Sequence, residues 1–310
     1  MLLLLLLLLL PLAVALAAAA CPAPASPRPR IVVSLNSGRT GSGWLYKLLG
    51  ATTSRVVAYH ERAIPEWPAL ARQTIASNRS ATRDARHAFC DNLGRWLRAH
   101  RDSVYVETSH MFNYFHDIMH DCFPPHLYDV SVVVLQRDVI ETIYSLTRNG
   151  FNIHGPMPWY YAAGSGAALL ASPFAEQTDM QAAIGYLIDM DAQIDWFVRR
   201  NNRLCRQCGA CYTVLDTRLE TLQTPESARV LLHGLDFELD AARAAPLFGR
   251  PYNIKAATLQ RPSGAERRLI QTELERYLAA MRAAGIPAPP LRLVACTRLL
   301  NVTENGAVRV

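Results

Sequence analysis

Ile31-Val-Val-Ser-Leu-Asn-Ser-Gly-Arg-Thr-Gly-Ser-Gly-Trp-Leu45 is a short β-branched apolar run that breaks into a glycine-rich turn and restarts as a helix-forming pattern. A strand ending in such a turn is suited to cradle a phosphate. Gly38, Gly41 and Gly43 let the backbone approach an anion closely, while the amides opening the next helix point at it and the helix dipole favours negative charge. Arg39 adds a permanent cation with forked donors, and Thr40 and Ser42 add hydroxyls. An ordinary strand-turn-helix corner has much the same composition, so the meaning of this one depends on what the rest of the chain places beside it. A Walker A loop fits poorly, because Arg39 stands where the lysine belongs and the first-glycine spacing fails.

Working outward, similar apolar runs recur at 31–35, 56–59, 104–106, 131–135 and 212–215. Helical patterns separate most of them, at 43–50, 84–101, 139–148, 180–201, 225–234 and 264–284. This alternation predicts an α/β fold, with a mainly parallel central sheet flanked by helices on both faces. In 180–200, Ile184, Leu187, Ile188, Ile194 and Phe197 repeat mostly at three- and four-residue spacing, which predicts a helix facing the core. Segment 149–173 is rich in Gly, Pro and aromatics without a period and reads as a long loop, the kind of segment that often carries function.

The second informative segment is Ser131-Val-Val-Val-Leu-Gln-Arg-Asp-Val-Ile-Glu-Thr-Ile-Tyr-Ser145. It predicts a strand ending at Arg137, then a helix with Asp138 and Glu141 at the N-cap and N3 positions of a capping box. Arg137 then sits at the carboxyl edge of a parallel sheet, where such sheets bind ligands, with Ser145 two turns along the helix. One guanidinium and one hydroxyl suit a second phosphate. Alone, the arginine would serve equally well in a surface ion pair; together, the two segments imply a ligand with phosphates at two positions.

Residues 2–20 form an uninterrupted apolar run that ends in alanines before Cys21, as a signal peptide or signal anchor does, and 21–30 is a Pro-rich linker. The folded domain is expected at 31–310, in the secretory lumen or outside the cell, and the sequons at Asn78 and Asn301 fit that address. Without Cys21, six of the seven cysteines are left, and an even number in an oxidising compartment favours disulfides. Cys205, Cys208 and Cys211 have zinc-like spacing but lack an evident fourth ligand. The net charge of +6 favours anionic ligands without naming one, and no nucleic-acid motif accompanies it.

Taken together, the two phosphate segments resemble the sulfotransferases that use 3′-phosphoadenosine 5′-phosphosulfate (PAPS), of the Golgi, carbohydrate-modifying type. Gly38-Arg-Thr-Gly-Ser-Gly-Trp-Leu45 matches the family's 5′ loop, Pro-Lys-Ser-Gly-Thr-Thr-Trp-Leu, in register. Arg137 and Ser145, eight residues apart, match its 3′-phosphate pair. Gly43 for the second Thr and Val139 for the usual Pro are departures. The resemblance implies a P-loop-like fold, PAPS as co-substrate and no metal. It also implies that Arg39 stabilises charge on the bridging and leaving oxygens, that Gly38, Thr40, Gly41, Ser42 and Gly43 hold the 5′-phosphate, that Trp44 stacks near the adenine, and that Arg137 and Ser145 hold the 3′-phosphate. A base must deprotonate the acceptor. Glu61, beside His60 after the second strand, is the first candidate, and His110 and Glu107 after the third strand are the rivals. Segment 252–255 resembles a closing loop near the nucleotide. The acceptor is expected to be a hydroxyl or amine, by default on a glycan that Trp159, Tyr160 and Tyr161 could contact. A P-loop kinase using Asp138 for a metal, and an inactive lumenal nucleotide-binding protein, are the alternatives.

Overall fold

The computed structural model of the chain describes residues 28–60, 79–148, 168–209, 211–248 and 261–287. Five strands form one sheet: β1 (Arg30–Leu35), β2 (Val56–Tyr59), β3 (Val104–Glu107), β4 (Asp129–Gln136) and β5 (Thr213–Arg218). Their order is β2-β3-β1-β4-β5, and every pairing is parallel. Because side chains alternate along a strand, the unbroken apolar runs feed two cores at once. Ile31, Val33, Leu35, Val130, Val132 and Val134 point to one face, and Val32, Val133 and Leu135 to the other.

The first face is covered by α2 (Arg79–Ala99), α4 (Val139–Arg148), α5 (Asp179–Cys208) and α8 (Gly264–Ala283). A 3₁₀ turn at His110–Phe115 and the single-turn helix α3 (Met119–Cys122) pack there as well. The second face carries α1 (Ser42–Gly50), α6 (Pro225–Gly234) and the short α7 (Ala241–Ala244). Local chemistry sets the ends of these helices. Thr178 and Gln181 form a capping box opening α5, Gly209 closes it with φ 66, and Ser263 with Glu266 opens α8.

Helix α5 runs seven residues past its expected end at 201, and α2 begins at Arg79 rather than 84. Nothing in the sequence pattern marks 110–122, since residues 110–115 are buried on every side and show no amphipathic period. Cys90 bonds Cys122, tying α2 to α3, and Cys205 bonds Cys211 across the end of α5, so the cysteine cluster is closed by a disulfide. Among the described residues no group of three or more His, Cys, Asp or Glu is placed to hold a metal ion, and no helix is long and apolar enough to cross a membrane. The apolar leader, Asn78 and Asn301 of the two sequons, Trp159, Tyr160, Tyr161 and segment 252–255 lie outside the described residues.

Strand order positions the site. The chain leaves β1 for the β2 side of the sheet, whereas it leaves β4 for β5 on the opposite side. Adjacent strands whose connections diverge open a crevice at their carboxyl ends. The glycine-rich turn after β1 and Arg137 after β4 flank it.

Candidate functional site

The turn between β1 and α1 departs from ordinary backbone geometry. Gly38, Arg39 and Gly41 all have positive φ, at 75, 56 and 94°. For arginine this conformation costs free energy, and such outliers persist where the surroundings impose them. Gly41 is required by its φ, and an added Cβ would also lie 2.6 Å from Leu219 Cδ1, so that the leucine end would have to move. The Gly41 carbonyl accepts from the amides of Trp44 and Leu45 as α1 begins. No acidic residue occupies the first turn of α1, leaving its positive end open to an anion.

Asn36, 0 % exposed, holds the turn in this shape. Its side-chain oxygen accepts from the Gly38 amide at 3.0 Å and from the Thr40 hydroxyl at 3.4 Å, and its amide donates to the Thr108 carbonyl at 3.2 Å. Asn113 in the 3₁₀ turn pairs with the Asn36 backbone in both directions, accepting from its N–H at 3.1 Å and donating to its carbonyl. From α5, the Tyr186 hydroxyl donates to the Ser37 carbonyl at 3.0 Å. Asn113 and Tyr186 escape sequence reasoning, because their partners come from distant segments and no local motif announces them.

The second anchor meets the first. Arg39 Nε donates to Ser145 Oγ at 3.0 Å, and Arg137 Nη1 donates to the Arg39 carbonyl at 3.0 Å. Arg39, Arg137 and Ser145 thus share one end of the β1–β4 crevice. The helix cap differs in part from expectation. Asp138 Oδ1 does accept from the Glu141 amide at 2.9 Å, but the Asp138 amide donates to Glu220 from beyond β5, and Glu141 turns to Arg137 and Arg267. Glu220 therefore takes the reciprocal role the capping box assigned to Glu141.

Of the candidate bases, Glu61 lies outside the described residues, one position beyond His60. His60 Nδ1 is 3.2 Å from Thr108 Oγ1, and its ring stacks on Tyr46 of α1, so the β2 end faces the β3 end. Glu107 is 1 % exposed, and its Oε1 accepts from the Ser109 amide at 2.7 Å, a bond that shapes the exit from β3. Burial, with the charge of Glu107 adding to it, pushes the Tyr105 phenol well above its ordinary pKa. His110 opens the 3₁₀ turn and is 5 % exposed. Ser42 and Gly43 are buried in the first turn of α1. Trp44, 6 % exposed, sits in the second core, donating its indole N–H to the Leu247 carbonyl at 3.1 Å with Phe248 edge-on. Its surroundings are those of a packed side chain.

Neither a family model nor a curated protein sequence matches the chain. Among solved structures, it is similar to a sulfotransferase domain from the curacin biosynthetic pathway, with TM-score 0.48 and 13% identity, covering 81% of this chain and 99% of that one. It is also similar to a sulfotransferase domain from the Synechococcus PCC 7002 olefin synthase, with TM-score 0.45 and 14% identity, covering 83% of this chain and 97% of that one.

Proposed function

We propose that this protein is a PAPS-dependent sulfotransferase that transfers a sulfuryl group to a hydroxyl or amine, by preference on a glycan, in the lumen of the secretory pathway. The observation that carries this reading is the junction of the two anion anchors: Arg39 Nε lies 3.0 Å from Ser145 Oγ, and the Arg137 guanidinium reaches the Arg39 carbonyl. Two cationic anchors at one crevice suit a single nucleoside bearing anionic groups at separate ribose positions. The glycine-rich turn with the start of α1 takes the 5′ group, and Arg137 with Ser145 takes the 3′-phosphate. Trp44 braces the turn from the core and makes no ligand contact in this reading.

Transfer is an in-line displacement in which positioning and charge stabilisation supply most of the catalysis. The acceptor oxygen bonds to sulfur as the sulfur–oxygen bond to the 5′-phosphate breaks. The electron pair leaves on the phosphate oxygen, where Arg39 stabilises the growing charge, and the acceptor proton passes to the base. Glu61 is assigned that role. The burial of Glu107 and its bond to the Ser109 amide favour a structural part for that carboxylate, and His110 stands as the second candidate. The apolar leader and the two disulfides support a lumenal site of action.

Purified protein incubated with labelled PAPS and pools of glycan acceptors tests the proposal, with products identified by mass spectrometry. Sulfated product is expected. A protein that binds the nucleotide yet sulfates nothing is a lumenal binding protein and not an enzyme, and magnesium-dependent phosphate transfer from ATP would make it a kinase.

A further inference from the structure

Glu141 introduces a negative charge into a site shaped for anions. It lies four residues after Arg137, which precedes α4, and four before Ser145, with which it shares a side of that helix. Its side chain is only 13% exposed, and both carboxylate oxygens face guanidinium groups. Oε2 is 3.4 Å from Arg137 Nη2, and Oε1 accepts from Arg267 Nη2 on α8. Arg137 in turn reaches the carbonyl of Arg39, so one carboxylate connects α8 to the turn after β1.

We infer, resting on the donor reading above, that Glu141 is a positioning residue for the 3′-phosphate. By bridging Arg137 and Arg267 it fixes both guanidinium groups beside the Arg39 turn, and so sets the preference for a nucleotide phosphorylated at 3′ and 5′ over one phosphorylated at 5′ alone. An unrestrained arginine samples many rotamers and must be ordered when ligand binds; one already held by a carboxylate and a carbonyl has that ordering done beforehand. The opposing effect is plain Coulomb attraction: removing a carboxylate next to an anion site should strengthen phosphate binding. The two effects have opposite signs, so affinity distinguishes them. A purely structural tie between α4 and α8 would be indifferent to which phosphates the nucleotide carries.

The test is calorimetric titration of the full chain with adenosine 3′,5′-bisphosphate and, separately, adenosine 5′-monophosphate. Wild type, Glu141→Gln, Arg267→Met and the double variant are compared. The expected result is that Glu141→Gln lowers the bisphosphate-to-monophosphate affinity ratio about tenfold while monophosphate affinity stays near wild type. Arg267→Met should lower the ratio as well, and the two losses should fall short of adding because both act through one bridge. A ratio that is unchanged or raised in Glu141→Gln, or an equal loss for both nucleotides, overturns the inference. A wild type that does not prefer the bisphosphate overturns the donor reading itself, and with it this assignment.

Discussion

Replacing Gly41 by alanine puts a defined strain on the turn that the whole account depends on. Gly41 has φ 94 and ψ 19°, a left-handed conformation that costs a residue bearing a Cβ about 1–2 kcal/mol. The new methyl would also lie 2.6 and 2.7 Å from the two terminal carbons of Leu219. Overpacking of this kind costs about 1–3 kcal/mol, and the partly exposed end of a leucine can turn aside, so the low end applies. Gly41→Ala should therefore lose about 2–3 kcal/mol in urea unfolding at 25 °C and bind adenosine 3′,5′-bisphosphate more weakly. In a Leu219→Ala background the clash disappears and the backbone strain stays, so the same substitution should cost about 1–2 kcal/mol there. A Gly41→Ala protein within about 0.5 kcal/mol of wild type would refute the strained-turn argument. Equal costs in both backgrounds would refute the close approach of Leu219.

Asn36→Ala removes the acceptor for the Gly38 amide and the Thr40 hydroxyl in a fully buried setting, so it should cost about 2–4 kcal/mol in the same assay and abolish bisphosphate binding. His120 is stacked on Tyr212 and bonded to Asn201; its pKa is held below the ordinary histidine value first by burial and then by Arg200, with the Asn201 bond opposing. The fold therefore favours the neutral ring. Its contribution is complete above the unfolded pKa of about 6.5 and is lost as pH falls toward the depressed folded value. Stability measured from pH 7.5 down to 5.5 should decline more steeply in wild type than in His120→Gln, and parallel curves would contradict this. Removing the Cys90–Cys122 bond, which closes a sequence separation of 32, should cost about 3–4 kcal/mol on the chain-entropy model. The paired serine variant Cys90→Ser, Cys122→Ser should show a clear fall in Tm, and an unchanged Tm would contradict the pairing.

The parallel sheet was legible because each strand from β1 to β5 announces itself locally as an apolar, β-branched run, and runs buried on both faces need no alternation. The turn after β1 and the segment after β4 were legible as local structure for a related reason: glycines after a strand, and an arginine before a capped helix, are short-range signals. Three parts of the site were not. The contact of Arg137 with the Arg39 carbonyl depends on β1 and β4 being neighbours, which a strand list does not specify. Asn113 supports Asn36 from 77 residues away and Tyr186 supports Ser37 from 149, each as an ordinary polar or aromatic residue in its own segment. Glu141 looked like half of a capping box, yet the charges of Arg137 and Arg267 outcompete a single backbone amide for its carboxylate. The 3₁₀ turn that carries Asn113 was invisible because complete burial erases the periodic contrast on which helix reading relies.

Titrating the purified chain with adenosine 3′,5′-bisphosphate tests most directly whether its two cationic anchors act on one nucleotide. Saturable one-to-one binding is expected, at least about tenfold tighter than that of adenosine 5′-monophosphate and sharply weakened by either Arg39→Ala or Arg137→Ala. Equal affinity for the two nucleotides, or bisphosphate binding that survives the loss of either arginine, would contradict it.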